Sequence, residues 1–443
     1  MTKALTRTVV VLSILLLMTG CLGPFESDKA DVAEAGVAVS VPEASVESVP
    51  RSYTAEEFEF QTVVEVPLRL DVQLYPAVSE TGEAIPLTPE EIEAESRSTL
   101  ATVYDDVGEV AFQTTFAGTS TLQRTLVLPI GKELYRLELS RPGYESRTVR
   151  LENAPQQQSI SVTAHLRRQA PGSVSSSVAV DVDPRYNVPA GDDFFTVAYE
   201  DYFPHVGDAD FNDFVVQYNI EVTEESGFVS EYTVNATARA RAAGFEHEFG
   251  FVLQYPGFRG IYTGTYEQVV NGEVVSQKIE GDSLNSARIV LFPSTKSAFK
   301  RQSSRVTVDN GFLGEPLSEG LNASFTISFR PFADVSPEDV EAPPLDPYLL
   351  TEKGYDVHLI GKPALDGSKN FEVPLSEWEN FLDQNGYPRA LLVPTAWPHP
   401  LELTKIDNAY SDFTTWRESN GKDQRDWYER PTDGLVFQWP SGS

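Results

Sequence analysis

The sequence predicts a mainly β protein built as two consecutive β-rich domains with a few short helices, and three observations predict it. First, Val64, Val66, Leu68, Leu70, Val72 and Leu74 alternate with Glu65, Pro67, Arg69, Asp71 and Gln73, so one face of this segment is made for a core and the other for water. Second, the alternation recurs at Tyr135, Leu137 and Leu139 and at Ile160, Val162, Ala164 and Leu166, with turn chemistry such as Arg141-Pro142-Gly143 between. Third, Val216, Tyr218, Ile220 and Val222 alternate with Gln217, Asn219 and Glu221 far downstream. An apolar content of 41% is enough for real cores, and a chain of 443 residues suggests two or three domains.

Residues 1–20 read as a lipoprotein signal peptide: Lys3 and Arg7 form a basic start, Val9 to Met18 an apolar run, and Thr19-Gly20 lead into Cys21. A run of about ten residues is far short of the roughly twenty that a membrane-spanning helix needs. Cys21 is the one cysteine, so no internal disulfide forms, and its acylation by palmitate-like chains gives the thiol a use. Several acyl chains anchor stably where one does not. Residues 21–53 are rich in Ala, Val, Glu, Ser and Pro without periodicity and read as a flexible acidic tether.

Residues 54–168 read as a β-sandwich module. Pro67 cannot donate to a ladder, which predicts an edge strand or a bulge there. Thr88-Pro89-Glu90-Glu91 is a capping box opening one short helix, and His165 falls on the outward phase of its strand. Residues 169–190 shift to Gln, Ala, Pro, Gly and Ser and read as a linker, and residues 191–443 form the second domain. Within it, Ser376 with Glu379 caps a helix carrying Trp378, Phe381 and Leu382 that ends at Asn385-Gly386, and Tyr410, Phe413 and Trp416 share helical spacing after Asp407. Those aromatics are expected to pack onto the sheet.

The densest chemistry is Tyr199-Glu200-Asp201-Tyr202-Phe203-Pro204 followed by Gly207-Asp208-Ala209-Asp210-Phe211-Asn212-Asp213-Phe214. Six carboxylate or carboxamide side chains fall within fourteen residues, the oxygen density that Ca²⁺ takes. Asp208, Asp210 and Asn212 have the one-three-five spacing of a calcium-wrapping loop. Asp213 stands where an EF-hand needs glycine, and Asn219 where it needs glutamate, so the loop is not an EF-hand. Asp213 with Glu200 or Asp201 would complete the shell, with Phe211 or Phe214 anchoring the loop. The competing expectation is that these residues cap turns, or that Asp201 and Asp213 pair with Arg239 and Arg241.

The same stretch resembles the signature of the LruC-domain bacterial lipoproteins. So do Gly244 to Phe251, Ala287 to Phe292, Phe329-Arg330-Pro331-Phe332, and the closing aromatics Tyr410, Phe413, Trp416 and Asp426-Trp427-Tyr428. The resemblance implies an Ig-like or transthyretin-like sandwich followed by an LruC-type domain of unassigned role, of β-sandwich or jelly-roll type. It also implies DxDxDG-type calcium loops near the linker, where this chain has only Asp181-Val182-Asp183-Pro184.

Charge and motifs bound the function. With 34 Lys+Arg against 66 Asp+Glu the chain stands at −32, and loss of Lys3 and Arg7 takes it to −34, which disfavours nucleic acid as a partner and favours cations. The histidines lack zinc-ligand spacing, and no nucleophile elbow or phosphate loop is present. The expected protein is a non-enzymatic, lipid-anchored component of the bacterial envelope, calcium-braced, with an interaction, structural or adhesion role and a protein or glycan partner. In a Gram-negative host, Leu22 in place of aspartate after Cys21 points to the outer membrane. Two alternatives are a calcium-dependent carbohydrate-binding protein using Tyr and Trp faces, and an envelope hydrolase using Glu200 and Asp201 as general acid and base or the Glu246-His247-Glu248 run.

Overall fold

The computed structural model describes residues 42–50, 62–77, 79, 84–85, 98–117, 121–169, 185–225, 228–255, 258–282, 286–301, 308–331, 340–374 and 381–439. The signal peptide, Cys21, most of the tether, the Thr88 to Glu91 capping box, Asp181 to Pro184 and the Ser376 to Glu379 helix start lie outside the described residues.

The first domain is two four-stranded sheets face to face. One runs Ser45–Pro50 (β1), Gln157–Arg167 (β8), Val63–Tyr75 (β2) and Thr121–Pro129 (β5) in spatial order. The other runs Val110–Ala117 (β4), Ser98–Tyr104 (β3), Leu134–Ser140 (β6) and Arg147–Glu152 (β7). The predicted alternation is observed: Val64, Val66, Leu68 and Leu70 share a core with Val162, Leu166, Leu137 and Leu139. His165 is half-buried on the outward face, with Tyr75 edge-on to its ring at 5.4 Å.

Two expectations need correction. β2 is an interior strand, antiparallel to β5 and parallel to β8, rather than an edge. Its pairing with β8 begins at Leu68, one residue past Pro67, so the proline lies where β2 has a neighbour on one side only. And the tether ends earlier than expected, because Ser45–Pro50 pairs antiparallel with β8. All six residues of β1 are exposed, so this edge strand is held through its backbone and leaves no periodic trace in the sequence.

The second domain packs a nine-stranded sheet on a four-stranded one. The larger sheet runs Glu273–Asp282 (β15), Gly260–Val270 (β14), Asn322–Pro331 (β20), Phe228–Ala242 (β12), Phe214–Glu225 (β11), Phe195–Tyr199 (β10) and Ala390–Val393 (β23). Arg185–Val188 (β9) pairs with the far end of β11, and Val308–Asp309 (β18) with the end of β12. The smaller sheet runs Ser286–Phe292 (β16), His247–Gln254 (β13), Asp346–Thr351 (β21) and Asp356–Val357 (β22). Phe299–Lys300 (β17) and Glu319–Gly320 (β19) form a separate ribbon. Because β9 belongs to the large sheet, the domain starts before the expected residue 191, at Arg185 among the described residues.

Between the two sheets lies an aromatic core in which Tyr218 meets Phe251 at 5.1 Å and Phe214 meets Phe249 at 5.6 Å. On the reverse face of β10, β11 and β12 stand Ala198, Val215 and Ala240, small enough to admit a third layer of Trp397, Tyr410, Phe413, Trp416 and Trp427. The helix expected through Tyr410, Phe413 and Trp416 is two short ones, Ile406–Ala409 (α1) and Phe413–Glu418 (α2), because Tyr410 takes an extended conformation between them. At the other expected helix, Phe381 has a positive φ of 46° and Leu382 bridges to Pro388, so this end is a turn closed on the Asp383 carboxylate.

Candidate functional site

The acidic loop joins β10 to β11, and its own aromatics fix its β11 end. Phe211 enters the third layer against Phe413 at 6.2 Å, and Phe214 enters the core between the sheets. Glu200, the first residue after β10, turns inward and organises the loop: its Oε1 accepts the Phe211 N–H at 2.7 Å and its Oε2 the Ala209 N–H at 3.2 Å. Ala209 and Phe211 have φ of 60° and 50°, the left-handed region that side chains disfavour, and the shared carboxylate offsets that cost. Gly207 lies against the same group, where an added Cβ would collide with Glu200 Oε2.

Three carboxylates converge there. Single oxygens of Glu200, Asp208 and Asp210 all lie within 4.8 Å of one another, with Glu200 and Asp210 buried and Asp208 exposed. Oxygens bound to one Ca²⁺ at about 2.4 Å stand no more than about 4.8 Å apart, so the spacing suits a shared cation. Burial, together with the Asp208 charge, pushes Glu200 up to about 8 against the pull of its two backbone N–H bonds. Burial and the charges of Glu200 and Asp208 push Asp210 up to about 9. The cluster thus calls for positive charge, supplied by protons or by a metal ion.

The structure gives the other three predicted ligands different partners. Asp213 Oδ2 accepts the Asp201 N–H at 2.7 Å. Asn212 is buried, and its amide donates to Pro400 O at 3.3 Å, while its Oδ1 has no hydrogen-bond partner among the described residues. Asp201 Oδ2 meets His247 Nε2 at 2.8 Å. The donor set is therefore not the one-three-five wrap: Glu200 takes the place expected for Asn212, because the left-handed turn at Phe211 carries Asn212 into the interior. A segment distant in sequence closes the loop, with Leu403 N–H on Asp210 Oδ2 at 2.8 Å and Ile406 N–H on Ala209 O at 2.8 Å. No sequence spacing points to that segment.

Asp201 begins a buried relay between the two sheets. Arg241 Nε donates to Thr295 Oγ1 at 3.2 Å, Thr295 Oγ1 lies 3.2 Å from His247 Nδ1, and His247 Nε2 reaches Asp201. An Nε2–H donated to the Asp201 carboxylate satisfies that end of the ring, and the Thr295 hydroxyl donates to or accepts from Nδ1 according to the tautomer. Carboxylate, imidazole and hydroxyl stand in the order of a hydrolytic triad, with Thr295 and Arg241 wholly buried and His247 nearly so. Glu246 and Glu248 point elsewhere, Glu246 to Ser294 and Lys296 and Glu248 to Tyr348 and Arg288. Arg241, expected on a carboxylate, also donates to Phe245 O at 2.5 Å, and Arg239 lies over the Trp439 ring.

The fold and site so described are those of a two-domain, mainly β protein with an acidic cluster at one rim of its larger sheet pair. The model of a family described as "Domain of unknown function (DUF4842)" matches residues 227–428, a span that leaves out the acidic loop and includes His247 and the third layer. Among solved structures, a Bacteroides ovatus protein described as a "putative lipoprotein" is similar over 77% of this chain and 100% of that chain, with 15% identity and a TM-score of 0.52. At that identity the likeness shows the fold. No curated protein matches.

Proposed function

We propose that the protein is a lipid-anchored component of the bacterial envelope, tethered through Cys21, whose second domain is an LruC-type domain braced by one Ca²⁺ at Glu200, Asp208 and Asp210 and presents an interaction surface. The observation that carries the calcium reading is the convergence of those three carboxylates within 4.8 Å, two of them buried. Oxygen donors of this kind suit calcium over the softer transition metals. The signal-like start ending at Cys21 supports the anchor, and the outer membrane is the proposed location because Leu22 follows Cys21. The lipoprotein description of the Bacteroides ovatus structure is in keeping with this reading.

The reading is tested by melting the chelator-stripped full chain with and without calcium. An ion that binds only the folded form adds about 2.7 kcal/mol at a hundred times its dissociation constant. Calcium should raise the melting temperature, magnesium less because it demands a tighter octahedral cage. Asp208→Asn should remove the difference while leaving the metal-free melting temperature in place or raising it, since Asp208 is exposed and its charge opposes those of Glu200 and Asp210. Equal melting temperatures with and without calcium would sink the calcium reading.

Glycan recognition is a second reading, on different residues from those expected. Tyr410, Phe413 and Trp416 are buried and offer no platform, whereas Tyr202 is 46% exposed and lies parallel to Phe245 at 6.1 Å. Lys353 Nζ lies 3.6 Å from the Phe245 ring centre and is the group a sugar would displace. A glycan array run with and without chelator separates this reading from the first.

A further inference from the structure

The two domains enclose a cavity of about 170 Å³ at their junction. The first domain contributes Val63, Asp105, Lys132 and Tyr135, the second Phe195 and Thr395, and the C-terminal segment Tyr428 and Glu429. Gly131 packs against the tips of Tyr428 and Glu429, so the C-terminal segment forms one wall. Domain junctions are where ligand pockets recur, and an apolar shell with a few convergent polar groups is their usual composition.

Tyr135 is 1% exposed and lines this cavity, and its hydroxyl has no hydrogen-bond partner among the described residues. Burial, then the charges of Asp105 and Asp106, then Tyr428 push its pKa up and hold its proton tightly. A buried hydroxyl without a partner is costly, and a ligand group that meets it recovers that cost. Charge selects the ligand class. The lining holds three carboxylates, Asp105, Asp193 and Glu429, against the single ammonium of Lys132. Lys132 is already committed to Asp105, whose other oxygen caps the Val107 and Glu109 N–H groups at 3.1 and 2.8 Å. Asp193 and Glu429 are exposed, and the Lys132 charge that Asp193 also feels is shared with Asp105, so the lining keeps an excess of carboxylates over its single ammonium.

We propose that this junction cavity is a binding site for a small organic ammonium compound, its apolar body between Val63 and Phe195, its charged group facing Asp193 and Glu429, and the Tyr135 hydroxyl at its inner end. A cavity of this size is comparable with those that admit a single six-membered ring. An occupant would touch both domains at once and hold them in register.

Ligand-observed NMR titration of the full chain with cyclohexylammonium, cyclohexanol and cyclohexanecarboxylate tests the proposal, because the three probes share a body and differ in head group. Cyclohexylammonium should bind with a dissociation constant on the order of 1 mM, as expected of a ligand this small, and the other two at least about fivefold more weakly. Asp193→Asn combined with Glu429→Gln, at exposed positions that the fold tolerates, should abolish the preference for the ammonium. Tyr135→Phe should weaken the ammonium about threefold or more while keeping the cavity's shape. Equal binding of the three probes, no binding of any, or a preference that survives the Asp193 and Glu429 double substitution would overturn it.

Discussion

Asp201 Oδ2 and His247 Nε2 lie 2.8 Å apart and join the acidic loop, which hangs from the larger sheet, to the first residue of β13 in the smaller one. Both are buried, so the bond is a structural tie between the two layers that places the loop. His247→Ala should cost about 2–4 kcal/mol, because it leaves the Asp201 carboxylate and the Thr295 hydroxyl short of a partner in the interior. Asp201→Asn, whose carbonyl can still accept the imidazole N–H, should cost less than half of that. Urea unfolding of the two variants decides the matter. A His247→Ala chain as stable as the parent would mean that the tie contributes nothing.

The close approach of Gly207 to Glu200 gives a second prediction. A Cβ at residue 207 would displace the Glu200 carboxylate and release the Ala209 and Phe211 N–H groups, so Gly207→Ala should cost about 2–3 kcal/mol and remove calcium-dependent stabilisation. Gly244→Ala is the control. Its Cβ would meet open space, and its stability should stay within about 0.5 kcal/mol of the parent. Equal effects of the two substitutions would show that the 207 position holds no special geometry.

How far the sequence carries these features depends on whether they are local. The alternation of β2, β6, β8 and β11 is a property of each segment alone, and the structure shows every one of those strands with the expected face inward. The acidic loop is equally local, since its oxygen density and flanking Phe211 and Phe214 stand in one run. What the sequence hides is pairing over distance. Nothing near Asp201 points to His247, nothing near Asp210 points to Leu403, and the all-exposed β1 carries no pattern that distinguishes a paired edge from a tether. The interior position of β2 is hidden for the same reason, because Pro67 reports what one residue cannot donate and not where the neighbouring strand begins.

Two further histidines set opposite pH limits on stability. His358 lies fully buried between Asp346 and Asp356, with Nδ1 at 2.9 Å and Nε2 at 2.8 Å from their carboxylates, an arrangement that an imidazolium fills with two donated bonds. Burial alone would depress its pKa, but the two carboxylates outweigh burial and push it up to about 9. A raised folded pKa means stability that is complete below about 6.5 and lost as pH climbs through 9, on the order of 3 kcal/mol. His399, buried with one nitrogen on Asn310 O at 2.9 Å, is pushed down to about 4 by burial. The neutral form is the folded one, so stability is complete above about 6.5 and falls by a similar amount as pH drops toward 4. Chemical unfolding across pH should show His358→Gln flattening the alkaline limb and His399→Phe the acid limb. Parallel curves for parent and variants would contradict both assignments.

The anchor is tested through Cys21. If Cys21 carries the lipid, Cys21→Ser should leave the precursor unprocessed or release the protein from the detergent-extracted membrane fraction. Unchanged processing together with unchanged partitioning would remove the anchor from the account.

Calorimetric titration of calcium into the chelator-stripped full chain tests the central claim most directly. The account predicts saturable binding of one ion per chain, with a dissociation constant at or below about 1 mM as in extracellular calcium modules, weakened at least about tenfold by Asp208→Asn. No saturable heat at millimolar calcium, with Glu200→Gln still destabilising the fold, would show that Glu200, Asp208 and Asp210 form a hydrogen-bonded turn and not a metal centre.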